Sequence, residues 1–294
     1  MISVVIISKD EASLDDTLAD VSRQVAGLNE PGEVVVVDAS AGRLDHIRQR
    51  HEARVRWIDF QPPAGVRVSI PHQRNAGVCA ALGDVIVFTD AGCLPDDGWL
   101  ERMTAPLRQC ESAVAGTSCD LSGAVAFPSV HMRRVERVGH RSYLAECPTL
   151  NFGFRRGVFD ALGGFDESFA YGSDVDFTWR LNDAGYRVLH VPEASLRHDY
   201  GASRRRNRRS YLYGKARARL YRKHRARRRS ILRSDPIAVA YPLFLLGLPL
   251  TLIFPCYPLL LLIPAWRNRS EGVIRVLVDH LWFGAGVLAE LAGR

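Results

Sequence analysis

Residues 1–90 alternate between short apolar runs and segments with helical spacing, and this alternation restricts the fold more than any other feature. The segments 14–25 and 72–83 carry apolar residues at the helical period. A βαβα order predicts an α/β fold with a Rossmann-like, mostly parallel mixed sheet and helices on both faces. The strand patterns are "SVVIIS" (3–8), "EVVVVD" (33–38), "VRWIDF" (55–60) and "DVIVFTD" (84–90).

Acidic residues follow three of these predicted strands. Asp10, Asp38 and Asp90 each stand at or just after the end of an apolar run. In parallel sheets, ligands bind outside the carboxyl ends of the strands. The three aspartates are therefore expected at one binding edge.

The second half of this domain is less regular. "SAVAGTS" and "NFGFR", within 112–160, have strand character, and a last strand is predicted at 186–192. Between them, 173–185 is predicted to be a helix, with a capping box of Ser173 and Asp176 at its start. We assign residues 1–200 to this domain.

A basic segment follows the α/β domain. Residues 197–233 hold 16 of the 39 Lys and Arg residues but one acid, Asp199, and the whole chain has a net charge of +7. Such a segment binds phosphates, either of nucleic acid or of anionic lipid. We expect a basic arm over 201–233 that is helical around 208–229.

Residues 236–266 contain no charged side chain and exceed the roughly 20 residues that cross a bilayer. Five prolines interrupt the run, which favours a re-entrant or interfacial hairpin over one straight helix. An amphipathic stripe of leucines at 277–291 suits a helix at the membrane surface. We therefore predict membrane-associated helices over 234–294, a membrane location, and a cytoplasmic catalytic domain, which agrees with six scattered cysteines.

Six short motifs in a fixed order carry a resemblance to a known family. They are "IISKDE", "VVVVDAS", "QRNAG…GDVIVFTDAG", "GGFDESF", "SDVDFTWRL" and "LRH". Together, over about residues 1–200, they resemble an inverting family 2 glycosyltransferase. The resemblance implies the glycosyltransferase A-type fold and transfer of a sugar from a nucleotide-diphosphate sugar to an acceptor hydroxyl.

The resemblance also implies a donor-binding set of Ser8, Glu11, Asp38, Arg74 and Asp90. Asp38 corresponds to an aspartate that accepts a hydrogen bond from the base, often uracil, so UDP is the expected nucleotide. Each residue also has an ordinary structural interpretation. Glu11 can start a helix, Asp38 can belong to a turn, and Arg74 can lie on a helix surface.

The metal site departs from the family pattern. Relatives carry Asp-x-Asp at the end of the fourth strand, whereas this chain has Asp90, Ala91 and Gly92. The resemblance implies a divalent cation, Mg²⁺ or Mn²⁺, held by Asp90 and by His198 as a substitute ligand. The glycine leaves open how strongly this site binds metal, and His198 can equally be a loop residue.

Asp174 corresponds to the general base of the family, the residue that takes the proton from the acceptor hydroxyl. The acid that usually precedes it is replaced by Ser173. The expected acceptor is lipid-linked or a surface glycan, and the arm at 204–229 is expected to contact an anionic membrane surface.

Two other functions compete with this interpretation. A catalytically weak or inactive membrane-bound relative, acting as a binding or scaffold module, is favoured by Gly92 and disfavoured by the presence of Asp174, Asp90 and Arg74. A nucleic-acid-binding protein would explain the basic arm but not the apolar tail, so no nucleic-acid partner is expected.

Overall fold

A computed structural model describes residues 1–127, 135–199, 206–262 and 273–293 of the chain. The chain divides into two compact units, Met1–Tyr200 and Gly201–Arg294. Parts of three predicted features lie outside the described residues: the middle of the irregular segment at 128–134, the start of the arm at 201–205, and the end of the apolar run at 263–266.

The described strands of the first unit form a single mixed sheet. Its order is β3-β2-β1-β4-β10-β6-β11-β9-β8, with β5 paired to β11 and β7 to β6. The strands are β1 (Ile2–Ser8), β2 (Gly32–Asp38), β3 (Val55–Asp59), β4 (Val85–Asp90), β5 (Cys93–Pro95), β6 (Ala113–Cys119), β7 (Val125–Phe127), β8 (Val135–Val138), β9 (Arg141–Leu144), β10 (Asn151–Arg155) and β11 (Val188–His198).

The predicted mixed α/β sheet is confirmed, but only part of it is parallel. β1 pairs in parallel with both β2 and β4, and β2 pairs in parallel with β3. β6 and β11 form a further parallel pair. β10 lies antiparallel between β4 and β6, and β8, β9, β5 and β7 add further antiparallel pairs. β8 and β9 are joined by two residues, and a connection this short permits only antiparallel pairing.

Helices cover both faces of the sheet because the side chains of each strand alternate between the faces. On β1, Val4 and Ile6 pack in one buried cluster with Leu18, whereas Val5 packs in the other with Val78. The helices of this unit are α1 (Leu14–Ala26), α2 (Asp45–His51), α3 (Ile70–Ala80), α4 (Trp99–Gln109), α5 (Arg156–Leu162) and α6 (Ser173–Asp183).

The second unit is helical. Its main contact joins α7 (Arg206–Lys223) to α10 (Val273–Ala292) through small residues. A Cβ atom on Gly214 would lie 2.0 Å from the carbonyl oxygen of Phe283, and one on Gly286 would lie 2.0 Å from that of Tyr211. Its helices are α7 (Arg206–Lys223), α8 (Ile231–Ser234), α9 (Ile237–Leu246) and α10 (Val273–Ala292), with 3₁₀ turns at Arg225–Ser230, Leu248–Leu252 and Tyr257–Leu261.

The buried face of α10 differs from the leucine stripe predicted at 277–291. Gly284 of the stripe is buried together with Gly286, Val287 and Glu290, whereas Leu291 of the stripe is exposed. Glycine backbones allow α7 and α10 to approach closely.

Part of the basic arm is neutralised within the second unit. Glu290 is buried, and its carboxylate accepts a hydrogen bond from Nε of Arg219 at 2.8 Å, with Lys215 and Arg222 also within ion-pair distance. Burial raises the pKa of Glu290, but these three cations outweigh it and the pKa lies below its usual value. Three cations of α7 therefore stabilise the contact with α10.

The predicted membrane location is wrong. Within residues 1–127, 135–199, 206–262 and 273–293, no helix combines the length and the apolar character needed to span a bilayer. The described part of the apolar run ends its first helix at Leu246 and continues as two 3₁₀ turns. Both turns contain proline at their start, which cannot donate a backbone hydrogen bond and so prevents one continuous helix.

Candidate active site

The carboxyl ends of β1, β2 and β4 meet at one edge of the sheet. Ser8 pairs with Asp38 in the β1–β2 register, and Ile7 pairs with Asp90 in the β1–β4 register. Three predicted donor-binding residues, Ser8, Asp38 and Asp90, therefore share the edge at which parallel sheets bind ligands.

Asp38 is held by a residue that the sequence did not single out. Oγ of Ser40 donates to Oδ1 of Asp38 at 2.5 Å, and the same Oγ accepts the backbone N–H of Asp10 at 2.7 Å. Burial raises the pKa of Asp38, and hydrogen bonds from Ser40 counteract this effect. The position of Ser40, two residues beyond a strand-end aspartate, is the local signal that would have pointed to it.

The turn after β1 does not begin a helix at its acidic residues. Asp10 has φ +59°, in the left-handed region, and Nε of Arg43 donates to its Oδ1 at 2.6 Å. This hydrogen bond lowers the pKa of Asp10. Glu11 is exposed and accepts a hydrogen bond from Ser13 at 2.9 Å, and α1 starts only at Leu14. The structure thus brings Asp10 to the β2 end, but gives no contact between Glu11 and the other predicted site residues.

Arg74 lies in α3 and is buried, so it is not a residue of the helix surface. Its Nη1 donates to Oγ of Ser173 at 3.1 Å, and its Cζ lies 5.6 Å from the centre of the Phe165 ring. In the described part of the chain, no acceptor lies within hydrogen-bond distance of its Nε. Arg74 therefore connects α3 to the first residue of α6 and keeps hydrogen-bonding capacity in a buried position.

Asp90 lies in the electrostatic field of the other predicted site residues. Burial raises the pKa of its carboxyl, the positive charges of Arg74 and His198 lower it, and the negative charge of Asp174 raises it. These four residues come from β4, α3, β11 and α6. The fold therefore brings together residues that lie far apart in the sequence.

His198 takes the space beside Gly92. Gly92 has φ +87°, and a Cβ atom there would lie 2.8 Å from Oγ of Ser13 and 3.8 Å from Cε1 and Nδ1 of His198. Pairing of β11 with β5 sets His198 opposite Cys93, and the Cys93 sulfur lies 3.7 Å from Nδ1 of His198. Burial and the charge of Asp90 raise the pKa of the Cys93 thiol to about 12, so this thiol stays protonated.

The residues present fit a divalent cation only in part. Across the described ranges, no group of three or more His, Cys, Asp or Glu side chains could hold a metal ion. Asp90 and His198 offer a carboxylate and an imidazole, which are ligands that Mn²⁺ accepts. A cation here needs its remaining ligands from a bound diphosphate or from water.

Asp174 occupies the first turn of α6, where Oδ1 accepts the backbone N–H of Val175 at 2.9 Å. Its charge and that of Glu146 act on Cys147, whose pKa burial raises well above the usual value. Glu146 accepts a hydrogen bond from Trp179 at 3.0 Å. The segment around Glu146 therefore lies against the same helix as Asp174, and the sequence did not predict this contact.

The predicted capping box of Ser173 and Asp176 is not present. α6 follows Gly172 without a side-chain cap, and Ser173 accepts from Arg74 instead. Asp176 is fully buried and accepts a hydrogen bond from Arg180 at 2.9 Å. Asp176 therefore forms an ion pair with a residue one turn further along the same helix.

Asn75 holds the loop that the motif "GGFDESF" predicts. Its side chain accepts the N–H of Phe165 at 2.8 Å and donates to the carbonyl oxygen of Phe165 and to Glu167, both at 2.9 Å. The loop also supplies the ring beneath Arg74. Asn75 thus supports the site through the loop backbone.

The sheet order, with acidic strand ends and a buried arginine at one edge, defines a fold of the glycosyltransferase A type. A mannosyltransferase from Pyrobaculum calidifontis, solved in complex with GDP-Man and Mn²⁺, superposes with a TM-score of 0.71 at 17% identity over 100% of this chain and 87% of that one. GalNAc-T7, solved with UDP, GalNAc and Mn²⁺, gives a TM-score of 0.53 at 17% identity over 75% of this chain and 49% of that one. At this identity the likeness shows the fold alone.

The chain belongs to glycosyl transferase family 2, whose family model matches residues 3–164. A second model, described as glycosyl transferase family group 2, matches residues 127–268. Among characterised proteins, the pre-mycofactocin glycosyltransferase of Mycobacterium tuberculosis is 30% identical over 139 residues, which cover 43% of this chain and 29% of that protein. The match thus spans less than a third of the relative's length. The predicted family is confirmed.

Proposed function

We propose that the protein is an inverting glycosyltransferase that moves a sugar from a nucleotide-diphosphate sugar to an acceptor hydroxyl. One observation carries the proposal: Arg74, Asp174 and His198, from three separate elements, all act electrostatically on Asp90. A buried cation, a potential metal ligand pair and a base at one sheet edge are what sugar transfer from a diphosphate requires. Membership of the family and the nucleotide-sugar complexes of its structural relatives support it.

Asp174 is the proposed base. Its position in the first turn of α6 leaves it half-buried, and Oδ1 is oriented by the N–H of Val175. In a one-step inverting displacement, the carboxylate takes the proton from the acceptor hydroxyl. The acceptor oxygen then forms a bond to the anomeric carbon while the bond from that carbon to the diphosphate breaks on the opposite face.

The leaving diphosphate needs positive charge. Arg74 is suited to this task because Nε keeps a hydrogen atom for a phosphate oxygen, while Nη1 is held by Ser173. Asp90 and His198 would hold Mn²⁺ or Mg²⁺, which when bound supplies further charge to the diphosphate. Ser8, Asp38 and Glu11 complete the proposed donor-binding set.

The nucleotide and the acceptor are less defined. UDP, and an acceptor that is lipid-linked or a glycan, stay predictions, as does contact of the arm at 204–229 with an anionic surface. The described part of this arm already uses Lys215, Arg219 and Arg222 on Glu290. Arg217 of the same helix is also paired, with Asp235.

A panel of UDP-, GDP- and dTDP-sugars, with and without Mn²⁺, tests the proposal. We expect donor hydrolysis or transfer with at least one of them, and weak metal binding to the protein alone that strengthens with nucleotide. Absence of binding and turnover across the panel would leave the second candidate, a catalytically inactive binding module, which Gly92 favours. Tight metal binding to the empty protein would reveal a ligand beyond Asp90 and His198.

Asp174→Asn tests the base within the same assay. We expect a loss of about 10²–10⁴-fold in turnover with donor binding nearly unchanged. Asp183→Asn, at the exposed end of the same helix, is the matched control and should keep full turnover. Equal turnover of wild type and Asp174→Asn would exclude this base assignment.

A further inference from the structure

We propose that Ser173 is a positioning residue that joins the donor side of the site to the base, because it holds Arg74 against the start of α6 without neutralising the guanidinium. This proposal rests on the proposed function, since it concerns Arg74 and Asp174 in the same reaction. Ser173 is buried and directly precedes Asp174.

Two contacts hold Arg74 against α6. Its Nη1 donates to Oγ of Ser173, the first residue of the helix, at 3.1 Å. Its Cζ lies 5.6 Å from the centre of the Phe165 ring, and that ring stacks on the ring of Phe177 in α6, with 4.5 Å between the two ring centres. Because both contacts lead to α6, the guanidinium and the first two turns of this helix pack as one unit.

The first turn of α6 lacks a side-chain cap. The helix begins after Gly172, and no side chain accepts a hydrogen bond at this cap position. Oδ1 of Asp174 accepts the N–H of Val175, which is a contact within the turn itself. The hydrogen bond from Arg74 to Ser173 therefore links this turn to another helix, at the residue next to the proposed base.

Ser173 leaves the charge of Arg74 intact. A serine hydroxyl is neutral, so it accepts the hydrogen bond without compensating the guanidinium. Burial raises the pKa of Asp90, and the positive charge of Arg74 lowers it, so this charge acts within the site. A carboxylate at position 173, as in the family pattern, would form a buried ion pair with Arg74 and would compete with the leaving diphosphate for it.

The two ends of the Arg74 guanidinium serve different partners. Among the described residues, no acceptor lies within hydrogen-bond distance of Nε, whereas Nη1 donates to Ser173. A diphosphate oxygen on Nε would hold Arg74 from one side while Ser173 holds it from the other. Asp174 follows Ser173 in the chain, so this arrangement sets the distance between the leaving group and the base, to which the rate of transfer is sensitive.

Removal of the Ser173 hydroxyl tests the positioning role. The assay is steady-state hydrolysis, by the full chain, of the UDP-, GDP- or dTDP-sugar that the donor panel selects. Ser173→Ala keeps the charge of Arg74 but loses the hydrogen bond, so we expect kcat to fall about tenfold while KM for the donor changes less than about threefold. Ser173→Thr keeps the hydroxyl and should restore kcat to within about threefold of wild type.

Ser173→Asp tests the charge of Arg74. The new carboxylate would pair with the guanidinium, so the affinity for UDP should fall about tenfold in calorimetry with Mn²⁺. Uridine, measured by competition with UDP, has no phosphate and should bind as it does to wild type. The corresponding guanosine or thymidine pair replaces UDP and uridine if the panel selects another donor. If Ser173→Asp does not fold, the kcat values of Ser173→Ala and Ser173→Thr decide the proposal.

Ser3→Ala is the matched control, a buried serine that contacts another element at the amino end of β1. Its Oγ donates to Glu33 at 2.6 Å and accepts the N–H of Gly83 at 2.8 Å. This variant should lose stability but keep the kcat and the UDP affinity of wild type. A fall in kcat that is specific to Ser173→Ala therefore separates positioning from a general structural role.

The outcomes distinguish this inference from the proposed function. Unaltered kcat in folded Ser173→Ala, or an equal loss in Ser173→Ala and Ser173→Thr, overturns the positioning role. Unaltered UDP affinity in folded Ser173→Asp overturns the role of the uncompensated charge. Turnover by wild type leaves the glycosyltransferase proposal in place in each of these cases, whereas absence of nucleotide binding and turnover in wild type overturns both.

Discussion

The imidazole of His198 lies 3.8 Å from the point that a Cβ atom on Gly92 would occupy. The position that carries a second aspartate in related enzymes is thus bordered by a histidine from β11, and its backbone adopts a conformation that favours glycine. The imidazole itself would leave room for a Cβ atom, whereas the left-handed backbone of Gly92 and the approach of Ser13 Oγ at 2.8 Å disfavour one.

Gly92→Asp should therefore fail to strengthen metal binding. The left-handed φ of +87° and the approach to Oγ of Ser13 at 2.8 Å should cost about 1–3 kcal/mol of unfolding free energy. Mn²⁺ titration with nucleotide present and thermal unfolding provide the two measurements.

Gly123→Asp is the control for the free-energy cost of placing a side chain on a left-handed backbone. Gly123 has φ +88°, and a Cβ atom there would meet nothing within 4 Å. This variant should lose stability but keep metal binding and turnover. If Gly92→Asp were as stable as wild type and bound Mn²⁺ more tightly, the position would be an open ligand site.

The sequence predicted the acidic edge of the site because strand ends are a local feature. Buried apolar runs that end in Asp38 and Asp90, together with the rule that parallel strands bind ligands at their carboxyl ends, suffice to place both residues. Ser40 and the contact of Arg74 with Ser173 were not predicted. The latter joins residues 99 positions apart, and no local pattern encodes such a pairing.

Two wrong predictions have physical causes. The charge-free run at 236–266 indicated membrane association, but its described part ends its first helix at Leu246, and no described helix is long and apolar enough to span a bilayer. Ser173 and Asp176 have the spacing of a capping box, but Ser173 accepts a hydrogen bond from Arg74 of another helix, and Asp176 pairs with Arg180 one turn further along the same helix. The first partner is distant in the sequence, and the second is a helical i,i+4 pair that competes with the cap.

Asp38→Asn should stabilise the folded protein at neutral pH. Burial raises the pKa of Asp38 in the folded state above 3.8, so its contribution to stability is present below pH 3.8 and is lost as the pH rises through the folded pKa. At pH 7 the buried charge is a net cost that asparagine removes. The melting temperature should therefore rise at pH 7, and the difference from wild type should shrink as the pH falls to 3.8.

The same variant should bind donor nucleotide more weakly, because an amide offers a weaker acceptor than a carboxylate. Asp59→Asn removes an exposed carboxylate paired with Arg48. It should change neither the melting temperature nor the binding of donor nucleotide strongly. A lower melting temperature of Asp38→Asn at pH 7 would show that the carboxylate stabilises the fold.

Gly286→Ala should destabilise the second unit. The added Cβ atom would lie 2.0 Å from the carbonyl oxygen of Tyr211, so α7 and α10 must separate. We expect a loss of about 1–3 kcal/mol in denaturant unfolding. Gly157→Ala, in α5 where a Cβ atom meets nothing within 4 Å, should be neutral or stabilising, and equal behaviour of the two variants would contradict the close contact.

Asp176→Ala distinguishes a buried ion pair from a helix cap. Loss of a cap costs about 1 kcal/mol, whereas removing one partner of a buried pair costs about 3–5 kcal/mol. Asp176 is fully buried against Arg180, whose other nitrogens donate to the carbonyl oxygens of Leu162 and Gly164 at 2.7 Å. The larger loss is expected in chemical denaturation, because the partly buried guanidinium would lose its counter-charge. The exposed pair of Arg23 and Asp97 is the control, and Asp97→Ala should give no measurable change. A loss near 1 kcal/mol for Asp176→Ala would instead restore the capping interpretation.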